Sequence, residues 1–118
     1  MRRRLAAFLL VPLFVISCTY LNWLRGAESE FDSGFSLFSQ GRYEEAIPHF
    51  RTAVEIDPKY GNAYIYLGRS YLNLGRYLEA VPPLRSALDL SPQDSEKEIV
   101  NLIVDALMGS RIEPGKLQ

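Results

Sequence analysis

Few side chains in this sequence could do chemistry, and they are scattered. One cysteine, Cys18, and one histidine, His49, are too few for an internal disulfide or a zinc site. Glu44 and Glu45 are neighbours, and adjacent residues of a helix do not face each other as an acid–base pair must. His49 has no candidate nucleophile at a suggestive spacing. The sequence therefore predicts no catalytic site, metal or other cofactor, and it leaves Cys18 as the candidate for modification.

Cys18 follows a segment with the layout of an export signal. Three arginines at positions 2–4 precede an apolar run, Leu5 to Ile16. Its 12 residues are too few to cross about 30 Å of hydrocarbon as a helix. Small Ser17 then precedes the cysteine. These features are typical of a secretory signal peptide, which we predict over residues 1–17.

The residues Val15-Ile16-Ser17-Cys18 resemble the lipobox of bacterial lipoproteins. The resemblance implies diacylglycerol on the Cys18 sulfur, cleavage before Cys18 and acylation of the new amine. Several acyl chains, palmitate among them, make a stable membrane anchor. Residues 18–26 are then a lipidated N-terminus and linker. Because Thr19 is not the aspartate associated with inner-membrane retention in some bacteria, the resemblance favours the periplasmic face of an outer membrane.

An uncleaved signal anchor is the alternative. The apolar stretch extends through Tyr20, Leu21, Trp23 and Leu24 to about 20 residues, enough to span a bilayer with aromatic side chains at its interface. By the positive-inside rule, both interpretations keep the arginines in the cytoplasm and place everything after residue 25 outside it. Both predict a membrane-attached protein of the cell envelope.

After the signal the chain is mildly acidic. The 118 residues have a formal net charge of −1, but without the three N-terminal arginines 10 basic side chains face 14 acidic ones, a net charge of −4. The basic footprint of a nucleic-acid-binding protein is therefore missing from the composition. Apolar residues make up 47% and charged residues 23%, which is ordinary for a folded globular protein.

The body of the chain consists of two copies of one 34-residue unit, residues 27–60 and 61–94, which align without a gap. The identical pairs are Gly34/Gly68, Ser36/Ser70, Gly41/Gly75, Arg42/Arg76, Tyr43/Tyr77, Glu45/Glu79, Ala46/Ala80, Pro48/Pro82, Arg51/Arg85, Ala53/Ala87 and Pro58/Pro92. Such agreement at one fixed offset predicts that both copies fold alike.

The period and the pattern resemble the tetratricopeptide repeat, a helix-turn-helix unit. The second copy matches the signature positions with Tyr64, Leu67, Gly68, Tyr71, Ala80, Leu84, Ala87 and Pro92, and the first copy keeps Gly34, Ala46, Phe50, Ala53 and Pro58. The resemblance implies an all-α fold, a short antiparallel helix-pair solenoid. We predict two repeats, a capping helix over residues 95–109 and a flexible tail over residues 110–118. The resemblance also implies a concave face that binds another protein or peptide.

Residue types place the helix ends independently of the family. Gly41 and Gly75 suit the left-handed position that ends a helix, and prolines end the second helices at Asp57 and Ser91. Small residues then mark where paired helices approach closely. The predicted small pairs are Gly34 with Ala46 and Gly68 with Ala80. A side chain larger than alanine at Gly68 is predicted to overpack by about 1–3 kcal/mol.

A last helix begins at the capping box Ser95–Glu98 and is predicted to stop at Gly109. The repeat register would place polar Glu98, Asn101 and Asp105 at packing positions. We therefore predict a helix that caps the stack with a rotated face, and not half of a third repeat. Its apolar arc is wider than one neighbour needs, and exposed apolar patches mark interfaces. The candidate residues for partner binding or self-association are Val100, Val104 and Met108.

By resemblance, the concave face comes from the first helix of each repeat. Its candidate partner-binding residues are Phe31, Phe35, Phe38, Asn62, Ile65, Arg69, Leu72 and Asn73. The three phenylalanines share one helix face. They form an aromatic wall for a partner's peptide or helix, or they pack against residues 21–24 or face the membrane. Arg69 holds a partner's carboxylate, or it is a solvated surface charge.

Three functions fit the sequence. The first is a lipid-anchored interaction module that scaffolds or assists assembly of a cell-envelope complex. The second is a structural protein that self-associates through its last helix. The third is a small accessory subunit, anchored by its signal, whose partner does the chemistry.

Overall fold

The computed structural model describes residues 23, 25–91, 93 and 95–112, and this part of the chain is helical with no strand. The helices are α1 (residues 25–39), α2 (Tyr43–Ile56), α3 (Gly61–Asn73), α4 (Tyr77–Leu90) and α5 (Glu96–Ile112). The predicted all-α fold is confirmed. The predicted signal peptide, Cys18 and residues 113–118 lie outside the described residues. Among the described helices, none is long and apolar enough to cross a membrane.

The helices pack as neighbours in chain order, which is the arrangement of a helix-pair solenoid. Short turns separate α1 from α2, α2 from α3 and α3 from α4, so each helix runs back along the one before it. α5 packs mainly along α4 and touches α3 only lightly. The central core consists of Ala46, Ile47, Phe50, Leu67, Tyr71, Ala80, Leu84 and Ala106. Helices α2 to α5 all contribute to it, so the capping helix belongs to the same core as the repeats.

Glycines end α1 and α3 in the same way. Gly41 has a φ of 75° and Gly75 a φ of 72°, in the left-handed region that glycine adopts without strain. After Gly41, the N–H of Arg42 donates to the carbonyl oxygen of Leu37 at 3.0 Å, and the equivalent bond after Gly75 is 2.9 Å long. These are the bonds of a Schellman motif, which satisfies carbonyl groups at a helix end. The predicted role of both glycines is confirmed.

Prolines interrupt neither α2 nor α4. Pro48 lies inside α2, and Pro82 and Pro83 lie inside α4, yet both helices are continuous. Each proline removes one helical N–H donor, and the apolar face that each helix buries stabilises it nonetheless. Both helices end where the sequence predicts, with Asp57 and Ser91 as C-caps.

A repeated arginine and glutamate join the turns to the helices that follow. Arg42 pairs with Glu45, and Arg76 pairs with Glu79, at the start of α2 and of α4. Arg76 also reaches back to the first repeat, where its Nη1 lies 3.2 Å from Oε1 of Glu44. This network gives a physical reason for two of the identities between the repeats, and it ties one repeat to the next.

The glycines of the first helices lie directly against large side chains of the second helices, in addition to the small pairs that the sequence predicts. A Cβ added at Gly34 would lie 2.8 Å from the Phe50 ring. A Cβ added at Gly68 would lie 2.5 Å from the Leu84 side chain. Both distances are shorter than a normal carbon–carbon contact. The overpacking predicted for residues larger than alanine at Gly68 therefore already applies to alanine.

α5 differs from its predicted bounds. It continues through Gly109 to Ile112, so Gly109 is not its end and residues 110–112 are helical. A Cβ at Gly109 would lie 2.6 Å from the Tyr77 ring, so this glycine permits close packing of α5 on α4. At the other end of the body, residues 25 and 26, which were predicted as linker, belong to α1.

The predicted rotation of α5 agrees with the side chains that it buries. Ile99 and Ala106 are fully buried. Asn101 and Asp105, which occupy packing positions in the repeat register, are exposed. The carboxylate of Glu98, which was predicted to close a capping box, instead accepts a hydrogen bond from the Arg69 guanidinium of α3. The side that α5 buries is therefore not the side that the first helix of a third repeat would bury.

Candidate partner-binding surfaces

A continuous series of aromatic rings lines the first helices of the two repeats. We call it the aromatic row; it consists of Tyr60, Phe31, Phe35, Tyr66 and Phe38. Phe31 lies 5.1 Å from Tyr60 and 6.0 Å from Phe35, measured between ring centroids. Tyr66 meets Phe35 and Phe38 edge-on, each at 5.1 Å. Edge-to-face and offset rings at these distances attract each other beyond simple burial. The row is thus a rigid surface that joins α1 to α3.

The three predicted phenylalanines do not share one environment. Phe31 and Phe38 are half-buried and pack against the core, with ring centroids 5.7 and 6.5 Å from that of Phe50. Phe35 is 41% exposed. The three rings therefore differ in surroundings: Phe31 and Phe38 are partly core, while the Phe35 ring is exposed, and its role in partner binding stays a prediction. Packing against residues 21–24 remains a prediction, since three of those four residues lie outside the described part.

The predicted binding residues of α3 also differ in exposure. Asn62 and Asn73 are exposed, whereas Ile65 and Leu72 are half-buried. Tyr66 is the residue of α3 that belongs to the aromatic row, and it was not among the residues predicted from the sequence. Tyr66 lies four residues after Asn62, on the same helix face. That spacing was the sequence feature that could have identified it.

Arg69 has a partner within the chain, and its predicted contact with a binding partner stays a prediction. Its guanidinium pairs with the Glu98 carboxylate of α5 and lies 5.4 Å from the centroid of the Tyr66 ring. It is thus not an isolated surface charge. The carboxylate that it holds belongs to this chain, so the pair joins α3 to the capping helix beside the aromatic row.

The opposite end of the row is acidic. Burial raises the pKa of the Tyr60 phenol, and the negative charges of Glu28, Asp32 and Asp57 raise it further. Ala27, Glu28, Asp57 and Tyr60 line an open depression of about 200 Å³. We call Glu28, Asp32, Asp57 and Tyr60 the acidic end. It adjoins Phe31 directly through the Tyr60 ring.

A second candidate surface lies on α5. The predicted residues Val100, Val104 and Met108 are 40%, 48% and 52% exposed. Leu107, which was not predicted, is 47% exposed. Because these four positions share one side of the helix, we call them the apolar edge. Their exposure agrees with the prediction, and the binding role itself stays a prediction.

The candidate acid–base residues take part in ion pairs between or within helices. His49 Nδ1 lies 2.8 Å from Glu30 Oε2 and links α2 to α1. Glu44 and Glu45 pair with Arg76 and Arg42 respectively. In the part of the chain that the structure describes, no three histidine, cysteine, aspartate or glutamate side chains are grouped to hold a metal ion.

A comparison with known families agrees with this geometry. The tetratricopeptide repeat family matches residues 31–95, more than half of the chain. No curated protein matches the chain. Tetratricopeptide repeats are in general modules that bind other proteins or peptides and not enzymes. The repeats, the helix order and the family match lead to one conclusion: this chain belongs to the tetratricopeptide repeat family.

Proposed function

We propose that the protein is a membrane-tethered interaction module, a scaffold or assembly factor of the bacterial cell envelope. The observation that carries the proposal is the aromatic row, in which Phe35 is exposed although Tyr66 holds it edge-on at 5.1 Å. A rigid exposed aromatic ring loses little conformational freedom when a partner covers it, so it contributes strongly to binding.

The tether is inferred from the sequence. The signal peptide over residues 1–17 and the lipobox that ends at Cys18 support a lipid anchor on the outer side of a membrane. In a bacterium with two membranes, the periplasmic face of the outer membrane is the favoured location. Mass spectrometry of the membrane-extracted protein should show a mature chain that starts at Cys18 and carries added acyl mass. An intact Met1 would support the alternative, a signal-anchored accessory subunit.

The proposal includes no catalytic step. Glu44 and Glu45 each pair with an arginine, and the His49 ring nitrogen lies within hydrogen-bond distance of Glu30, so each of the three side chains joins parts of the fold. Their positions are explained by stability, and the aromatic row supplies contact area without a reacting group.

The test is recovery of the partner from membranes with the full chain. The variant Phe35→Ala should lose the partner proteins that copurify with the wild type. The matched control is Leu78→Ala, which also shortens an exposed apolar side chain, 58% exposed, but on α4. If both variants recover the same proteins as the wild type, the aromatic row does not bind the partner.

A second function is favoured by the apolar edge. Val100, Val104 and Met108 offer apolar area to a second copy of the chain, which would make the protein a structural, self-associating lipoprotein. Recovery of this chain alone from crosslinked membranes, with loss of the crosslink in Val104→Lys, would favour that function over the scaffold.

A further inference from the structure

The two ends of the aromatic row differ in charge. Beside Tyr66, in the half of the row away from Tyr60, the positive charge of Arg69 is paired with the carboxylate of Glu98. At the Tyr60 end, three carboxylates act on one phenol. The surface is thus close to neutral at one end and negative at the other, while the rings between them form an uninterrupted apolar path.

The carboxylates of the acidic end form no ion pair within the described residues, because no side-chain nitrogen of a lysine, arginine or histidine lies within 4.0 Å of Glu28, Asp32 or Asp57. Asp57 accepts a hydrogen bond from the backbone N–H of Lys59 at 3.0 Å, and Arg25 lines a depression with Glu28 and Asp32 without pairing with either. The arginines Arg42 and Arg76 are paired elsewhere. Glu28 and Asp32 also lie four residues apart on α1, where like charges destabilise a helix by a few tenths of a kcal/mol.

We propose that the acidic end binds a positively charged side chain of the partner, so that the protein selects a basic segment. This inference rests on the proposed function, because it names the chemistry of the partner that the aromatic row receives. A lysine or arginine head would lie among Glu28, Asp32 and Asp57, and an apolar side chain one or two residues away would cover Phe35.

The rings favour the same ligand as the carboxylates. A cation over an aromatic face is attracted by the ring as well as by nearby negative charge. The Tyr60 ring, 5.1 Å from that of Phe31, lines the same depression as Glu28 and Asp57. An acidic segment would meet repulsion at this end, and at the other end it would have to displace Glu98 from Arg69. Charge complementarity therefore selects a basic over an acidic partner.

The experiment measures the binding of labelled synthetic peptides to the purified full chain in non-ionic detergent. One short peptide contains lysine and leucine, and its counterpart has glutamate in place of lysine. The test variant is Glu28→Gln with Asp32→Asn. The matched control is Glu55→Gln with Asp89→Asn, which removes two exposed carboxylates elsewhere and changes the net charge equally. Circular dichroism verifies that each variant is folded.

The lysine peptide should bind, and the test variant should weaken its binding about five- to tenfold, since each near-surface charge pair contributes at most about 1 kcal/mol. The control variant should bind as the wild type does, and added salt should weaken binding. The inference is overturned if neither peptide binds, if the glutamate peptide binds equally well, or if both double variants weaken binding to the same extent.

Failure of the inference is distinguishable from failure of the proposed function. If Phe35→Ala loses the copurifying partner while the charge variants bind as the wild type does, the aromatic row binds a partner that is not basic. If Phe35→Ala also keeps the partner, the partner does not bind the aromatic row and the proposed function fails as well.

Discussion

The two ends of the helix stack have opposite surfaces. The outward side of α1 presents the exposed serines Ser29, Ser33 and Ser36, and Gln40 follows directly after its end. Several of these side chains bond to their own helix; for example, Ser33 Oγ donates to the carbonyl oxygen of Ser29 at 3.0 Å. The outward side of α5 instead presents the apolar edge. Repeat stacks need a polar outer face at their ends to remain soluble. The outward side of α1 has such a polar face, and the outward side of α5 does not.

This difference restricts how copies of the chain could associate. Head-to-tail contact would place the apolar edge of one copy on the serines of the next. Tail-to-tail contact would join two apolar edges and close after two copies. Any self-association through α5 should therefore give dimers and not filaments.

The largest expected effect comes from truncating the core at each end. Phe50→Ala removes a fully buried ring that contacts both repeats, and it should cost about 3–5 kcal/mol. Ile99→Ala should cost about 2–4 kcal/mol, mainly by loosening α5. Hydrogen exchange distinguishes the two, because protection should fall across the body in the first variant and chiefly in α5 in the second. Loss of protection throughout the Ile99→Ala protein would mean that the capping helix is not a separable end.

A smaller effect is expected at the glycines that end α1 and α3. Gly41→Val and Gly75→Val should each destabilise the body by about 1–3 kcal/mol, because a β-branched residue resists positive φ. The two costs should be equal, since nothing lies within 4 Å of an added Cβ at either position. Thermal unfolding measures both, and an unchanged melting temperature would contradict the role of these glycines.

Charge on the outward surfaces should affect association and leave stability almost unchanged. Val104→Lys should abolish self-association through α5 and change the free energy of unfolding by less than about 0.5 kcal/mol. The matched control is Ser33→Lys on the polar outward side of α1, which should change neither self-association nor the free energy of unfolding. Sedimentation in density-matched detergent measures the association. A monomeric wild type together with an unfolded Val104→Lys protein would show that this side of α5 is internal.

The smallest expected effect is on a single titration. Glu28→Gln with Asp32→Asn should lower the pKa of the Tyr60 phenol towards its ordinary value, because two of the charges that raise it are removed. Carbon-13 NMR of labelled tyrosine follows this ionisation. A raised pKa in the folded protein stabilises it below the ordinary tyrosine pKa, and this contribution is lost as the pH rises further. An unchanged titration in the variant would place the carboxylates too far from Tyr60 to act on it.

The sequence was sufficient for features that recur at the 34-residue offset. Gly41 and Gly75 end helices because their neighbours in sequence make the motif, and such local features repeat. Contacts between residues that are far apart in the chain could not be predicted in this way. The atoms nearest to an added Cβ come from Phe50 at Gly34 and from Tyr77 at Gly109, and helix packing, not spacing in the sequence, decides these contacts.

At the candidate site, too, local features could be predicted from the sequence and long-range contacts could not. The spacing of Phe31, Phe35 and Phe38 predicts a shared face, but the exposure of each ring depends on how deeply α1 is packed. The pairing of Arg69 with Glu98 spans 29 residues and two helices, so only the tertiary arrangement brings the two together. Tyr66 was missed because a tyrosine among apolar residues looks like core until its neighbours across α1 are known.

The central claim is that a foreign partner binds the aromatic row in the cell envelope. The most direct test replaces Phe35 with a photo-crosslinking phenylalanine analogue in cells, with the same analogue at Leu78 as the control. The account predicts a crosslink from position 35 to a different protein and none to that protein from position 78. A crosslink from position 35 only to a second copy of this chain, or equal crosslinks from both positions, would contradict it.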